Sequence, residues 1–166
     1  MKLQFKIIIT ILLIGCKSNS DIQKHHSLAQ QYRIDNDFGK AIVELRTVVN
    51  NYPSYNEAAQ SQFQIAEIYL NDVKDYDFAI EEFQHLINLF PNKKITPKAL
   101  FMIGYTYANY LDAYSHALKY YRKFLSQYPN HELIPSVEYE INGLVQYESI
   151  IDSLNKISLK TKEENI

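Results

Sequence analysis

AIVELRTVVNNYP at residues 41–53, AIEEFQHLINLFP at 79–91 and ALKYYRKFLSQYP at 117–129 are one pattern written three times, at a step of 38 residues. Each copy opens on an alanine (Ala41, Ala79, Ala117). A large apolar residue follows four later (Leu45, Phe83, Tyr121), and another three after that (Val48, Leu86, Phe124). Apolar residues at i, i+1, i+4, i+7 and i+8 share one face of a helix. Each copy closes on an aromatic-proline pair ending at Pro53, Pro91 and Pro129, and proline stops a helix. Ahead of the second and third copies, FQIAEIYL from Phe63 and FMIGYTYA from Phe101 carry apolar faces of their own, with Phe63 aligned to Phe101, Ala66 to Gly104 and Tyr69 to Tyr107. The spacing therefore predicts two helices per repeat, here called A and B. Ala66 facing Ala79, and Gly104 facing Ala117, are expected to let paired axes approach to about 8–10 Å.

Beyond Pro129 the chain reads NHELIPSVEYEINGLVQYESIIDSLNK. Ile141 lies twelve residues after Pro129, as Ile65 and Ile103 lie after Pro53 and Pro91. A seventh helix without a B partner is expected, running to about Asn155. A terminal repeat needs a polar outer face, which Glu138, Glu140, Glu148 and Asp152 supply. The last stretch, 157–166, is polar and is expected to fray.

Composition agrees with an all-α chain of one domain in 166 residues, since only four Gly and five Pro interrupt it. Seventeen Lys and Arg against nineteen Asp and Glu give a net charge of −2, which offers no case for nucleic acid. His25 and His26 sit on adjacent helix faces and do not converge on one metal. None of the five histidines has a metal-ligand spacing. Glu81-Glu82 and Glu163-Glu164 read as solvated faces, and no serine has a nucleophile-elbow context. No catalytic residue, metal or cofactor is expected.

The N-terminus is MKLQFKIIITILLIGCKSNSD. Lys2 and Lys6 precede an apolar run, and Gly15 precedes the single cysteine, Cys16. Basic, apolar, small is the order of a secretory signal. Leu3–Gly15 is thirteen residues, about 20 Å of helix against a bilayer core of ~30 Å, too short to span. A lone cysteine makes no internal disulfide.

Two resemblances follow from these residues. Leu13-Ile14-Gly15-Cys16 resembles the bacterial lipobox. That resemblance implies a signal peptide at 1–15, cleavage before Cys16, a diacylglyceryl group on its sulfur and a short lipidated tether at 16–21. Lys17, where Asp would mark inner-membrane retention, implies the outer membrane. The folded part is expected on the periplasmic side, with exposure at the cell surface the alternative. The repeat itself resembles the tetratricopeptide repeat over residues 22 to about 130. The matching residues are Leu28-Ala29, Tyr32, Ala41, Leu45, Val48 and Pro53, then Ile65-Ala66, Tyr69, Ala79, Phe83, Leu86 and Pro91, then Ile103-Gly104, Tyr107, Ala117, Tyr121, Phe124 and Pro129. The early tryptophan of the consensus is missing, with His25, Gln62 and Leu100 in its place. Repeats two and three carry one extra residue in the A–B turn. The implied fold is a tetratricopeptide-repeat solenoid at 22–156, three helix–turn–helix repeats plus a C-terminal capping helix.

In that family the A helices line a concave groove that binds peptides. Carried over, the groove positions are His26, Gln30 and Arg33, then Phe63, Glu67 and Asn71, then Phe101, Tyr105 and Asn109, with Tyr139 and Tyr147 on the cap. Phe63 and Phe101 are open to a second reading, packing between repeats. A lipidated cysteine leading into such repeats resembles the BamD family of outer-membrane assembly lipoproteins, and repeats two and three are also similar to the C-terminal repeats of the Tol-Pal coordinator CpoB. The expectation is a membrane-anchored, non-enzymatic scaffold for protein or peptide segments. Outer-membrane-protein assembly stands first. A Tol-Pal or peptidoglycan-linked adaptor and a structural spacer without a groove ligand are the alternatives.

Overall fold

The computed structural model describes the backbone of residues 2–163 and the side chains of residues 18–147, 149 and 150. Among the described residues seven helices follow one another: α1 (Lys2–Ile34), α2 (Phe38–Asn51), α3 (Asn56–Glu67, continued by a π-helical turn over Ile68–Val73), α4 (Tyr76–Leu89), α5 (Thr96–Asn109), α6 (Tyr114–Gln127) and α7 (Ile134–Glu163). The described residues contain no strand. The three quoted stretches form α2, α4 and α6, the B helices. The chain divides into two compact units, Met1–Ala99 and Leu100–Ile166.

Proline ends each B helix in the same way. Tyr52, Phe90 and Tyr128 leave the helix at φ −130°, and each still donates its N–H to the carbonyl four residues back, on Val48, Leu86 and Phe124. The following proline disfavours helical backbone at the residue before it, so the helix stops there. Helices α2 and α4 begin alike, with Asp37 and Asp75 accepting from the backbone N–H of Lys40 and Phe78. Such a cap contributes about 0.5–2 kcal/mol. Ala113, one step further along, gives α6 no side-chain cap.

The A–B turns keep the step as well. Asn36, Lys74 and Asp112 all sit at positive φ, between 50° and 61°. The extra residue of the second repeat therefore falls before Lys74, inside the A helix, where it is absorbed as the π-helical turn Ile68–Val73. Each turn is clasped by side chains at one register. The Lys40 ammonium lies 5.4 Å from the Tyr32 ring, Phe78 stacks on Tyr69 at 5.4 Å, and His116 stacks on Tyr107 at 5.1 Å.

The nine B-helix residues named first (Ala41, Leu45, Val48, Ala79, Phe83, Leu86, Ala117, Tyr121, Phe124) are all buried. Each large one is worth about 1.5–3 kcal/mol by burial. In the first unit successive helices pack, α1 on α2, α2 on α3 and α3 on α4. In the second, α6 packs on α7, and Gly104 of α5 presses on the Tyr121 ring of α6. A Cβ at Gly104 would lie 2.7 Å from that ring.

The stretch expected as signal and tether lies within α1, which runs from Lys2. One expectation changes. α7 continues to Glu163, past the end expected near Asn155 and into the polar stretch expected to fray.

Candidate functional site

His26, Gln30 and Arg33 are spaced by one helical turn and line one cleft of the first unit, about 700 Å³ in volume. Gln64, Ile68 and Asp72 of the neighbouring A helix form the other wall. Arg33 Nε donates to Asp72 Oδ2, which ties the two walls together. The Ser61 hydroxyl donates to the Glu57 carbonyl at 2.8 Å. His26 Nε2, 2.7 Å from the same hydroxyl oxygen, must then be the donor to it, which fixes the imidazole tautomer. Burial lowers the pKa of His26, the Glu57 charge partly restores it, and His25 lowers it further. His25 turns the other way, to Glu44 at 2.6 Å, so the two histidines serve different helices. Glu67 is half-buried. Burial raises its pKa against the opposing charges of Lys98 and Arg33, with Asp72 adding to the rise.

The second unit holds a smaller cleft of about 430 Å³, lined by Asn109, Tyr139 and Tyr147 together with Tyr114 and Glu140. Tyr147 meets the Tyr114 ring edge-on at 5.1 Å. Phe101 and Tyr105 lie beside each other at 6.1 Å and are half-buried, with Phe101 also 5.8 Å from Tyr121. Asn71 is exposed on the π-helical turn.

Phe63 is a correction. It is 1% exposed and packs on Phe83 at 5.2 Å, under the Lys98 ammonium. A side chain so placed belongs to the core, because exposing it would forfeit its burial. Glu82 is a second correction. Glu81 is exposed, but Glu82 is buried. Arg46 grips its carboxylate with both terminal nitrogens, at 2.7 and 3.1 Å, and Gln62 Nε2 donates to it at 2.6 Å. Burial raises the Glu82 pKa, and the hydrogen bonds from Arg46 and Gln62 with the Arg46 and His85 charges more than reverse this, so the net shift is downward. Gln62 Oε1 stays buried without a partner. Cys16 lies on the α1 backbone, and its side chain is outside the described residues, as are those of Glu163 and Glu164.

Sequence reasoning missed Gln64 and Glu140 as cleft residues. The 38-residue step contained the signal, since both stand one place after a named groove position, Phe63 and Tyr139. Among the described residues no group of three His, Cys, Asp or Glu side chains is placed to hold a metal ion.

No curated protein sequence matches the chain. Among solved structures it is similar to the N-terminal domain of stress-induced protein-1 (STI-1) from C. elegans, with a TM-score of 0.58 and 18% identity over 74% of this chain and 95% of that one. The likeness supports an all-α fold of the tetratricopeptide-repeat type. A family model described as YfiO, outer membrane lipoprotein, matches residues 71–164, more than half of the chain. This is the BamD family expected from the repeats, and the chain belongs to it.

Proposed function

We propose that the chain is a non-enzymatic scaffold, anchored by lipid on Cys16 to the periplasmic side of the outer membrane, that holds protein segments against its A helices during outer-membrane-protein assembly. One observation carries the reading. Residues at the groove positions of the repeat, His26, Gln30 and Arg33 in one unit and Asn109, Tyr139 and Tyr147 in the other, line open clefts of mixed ring, amide and charged character. Aromatic and amide side chains of this kind bury contact area at low entropy cost and adapt their hydrogen bonds. The family supplies the envelope setting. On this reading cleavage before Cys16 leaves the rest of α1 as the first A helix, starting close to the bilayer.

The test is an in-cell photo-crosslink from a reactive side chain placed at Gln30 or at Tyr105, with the captured protein identified by mass spectrometry. Capture of a nascent β-barrel protein or of an assembly-machine subunit is the expected result. Capture of Tol-Pal or wall-synthesis proteins in their place overturns the assembly role in favour of an adaptor. Failure to capture anything from a folded, anchored chain overturns the groove and leaves a spacer.

A further inference from the structure

Helix α7 carries the register of the A helices before it. Steps of 38 put Tyr139 at the place of Phe101, Gly143 at that of Tyr105 and Tyr147 at that of Asn109. Residues four apart share a helix face. The two tyrosine positions are then about 12 Å apart along the axis, at ~1.5 Å per residue, with glycine between them. Glycine is a poor residue for a helix interior. Among the described residues nothing demands it here, because a Cβ added at Gly143 meets no atom of theirs within 4 Å. Gly104 shows the contrast, since there the Tyr121 ring occupies the space a side chain would need. A glycine facing open space between two rings suits the close approach of another backbone.

The walls of this notch have a definite chemistry. Tyr139 is 78% exposed, a large ring left to solvent. Tyr147 is held by the edge of Tyr114. Among the described residues lining the cleft, Glu140 is the one that is charged and none is a lysine or arginine. Tyrosine faces and a carboxylate both favour a cation.

We propose, resting on the groove reading above, that the notch at Gly143 seats an extended partner segment that presents a lysine or arginine. The segment crosses α7 over Gly143. Its basic side chain lays the alkyl stem along the tyrosine rings and brings the charge to Glu140. Asn142 and Asn109, the latter already donating to the Tyr105 carbonyl at 3.1 Å, line the same cleft and offer amides to the segment's backbone. An acidic segment meets the Glu140 charge and is rejected.

The test presents nine-residue peptide pools, each fixed at the centre as Lys, Arg, Glu or Leu and degenerate elsewhere, to the purified full-length chain in detergent. The Lys and Arg pools are expected to be captured about fivefold more than the Glu pool, the scale of one exposed cation–ring contact. Glu140→Gln should erase that preference. Gly143→Leu should fill the notch and cut capture about tenfold, as one lost anchor does, with the melting temperature unchanged or higher. Equal capture of Glu and Lys pools, or undiminished capture by Gly143→Leu, overturns the proposal. If capture survives Gly143→Leu yet falls in Arg33→Ala or Tyr105→Ala, the notch is wrong and the wider groove stands. If the unsubstituted chain captures no pool at all, the groove reading fails and the notch with it.

Discussion

Gly104→Ala and Gly143→Ala make the same chemical change in two helices of the same unit, and the structure predicts opposite outcomes. Alanine favours a helix interior over glycine by about 0.8–1.0 kcal/mol, a gain both variants share. At Gly143 nothing among the described residues opposes it. At Gly104 the new methyl lies 2.7, 2.8 and 3.2 Å from Cε1, Cδ1 and Cζ of Tyr121. Carbon atoms rest at about 3.5–4.0 Å, so the ring must retreat by ~1 Å. Tyr121 is fully buried and has Phe101 beside it, so the retreat displaces other core atoms. Overpacking of this kind costs about 1–3 kcal/mol. The balance is a net loss of about 1 kcal/mol at Gly104 against a net gain of about 1 kcal/mol at Gly143. Urea unfolding followed by far-UV circular dichroism should separate the two midpoints by about 1 M, for a slope of ~2 kcal/mol/M. Replacing Tyr121 by leucine in the Gly104→Ala background should recover part of the loss, since a double-mutant cycle isolates the contact. Equal midpoints for the two alanine variants would refute the packing of α5 against α6 described here.

Ala113→Asp should supply the missing cap of α6 and stabilise the chain by about 1 kcal/mol, a rise of ~2–4 °C in melting temperature. Arg46→Ala should destabilise by about 1.5–3 kcal/mol in chemical denaturation, the scale of hydrogen bonds to a charged group. Glu82 has a lowered folded pKa, so its stabilisation is complete above the ordinary carboxylate range and is lost as pH falls through the folded value. Glu82→Gln should flatten that acid limb, and an unchanged limb would exclude Glu82 as its source. His26 is also lowered, so stability should fall as pH drops below its ordinary value of 6.5, and His26→Gln should remove that slope. Cys16→Ser should release the protein from membranes on detergent partitioning, and unchanged partitioning would sink the lipid anchor.

The repeat was legible because every level of the chain repeats it. Ala41, Leu45 and Val48 recur as residues of the same kind with the same burial, and Pro53, Pro91 and Pro129 stop helices in the same geometry. The clefts were legible in part. Positions carried by register found His26, Gln30 and Arg33, whose side chains border a cleft. Register does not report depth, and this is why Phe63 was misplaced. Phe63 and Phe101 occupy one register, yet Phe63 is sealed by Phe83 and Lys98 while Phe101 stays half-buried. Glu82 was misread for a related reason. A glutamate on a B helix normally faces water, and its burial depends on Arg46 one repeat earlier and on Gln62 in the tryptophan place of the consensus. Such a triplet is invisible until the helices are packed.

The Arg46–Glu82–Gln62 cluster also bears on how the chain reaches its folded state. Arg46 comes from the B helix of the first repeat, while Gln62 and Glu82 come from the two helices of the second. Were the second repeat to form alone, Glu82 would lose both the guanidinium that neutralises it and the first-repeat surface that covers it, and with them the stabilisation of the ion pair. An array of repeats is otherwise free to nucleate anywhere and lengthen one unit at a time. Here the electrostatics discourage the isolated second repeat, so the first two repeats should rise and fall together in hydrogen exchange, as a single foldon.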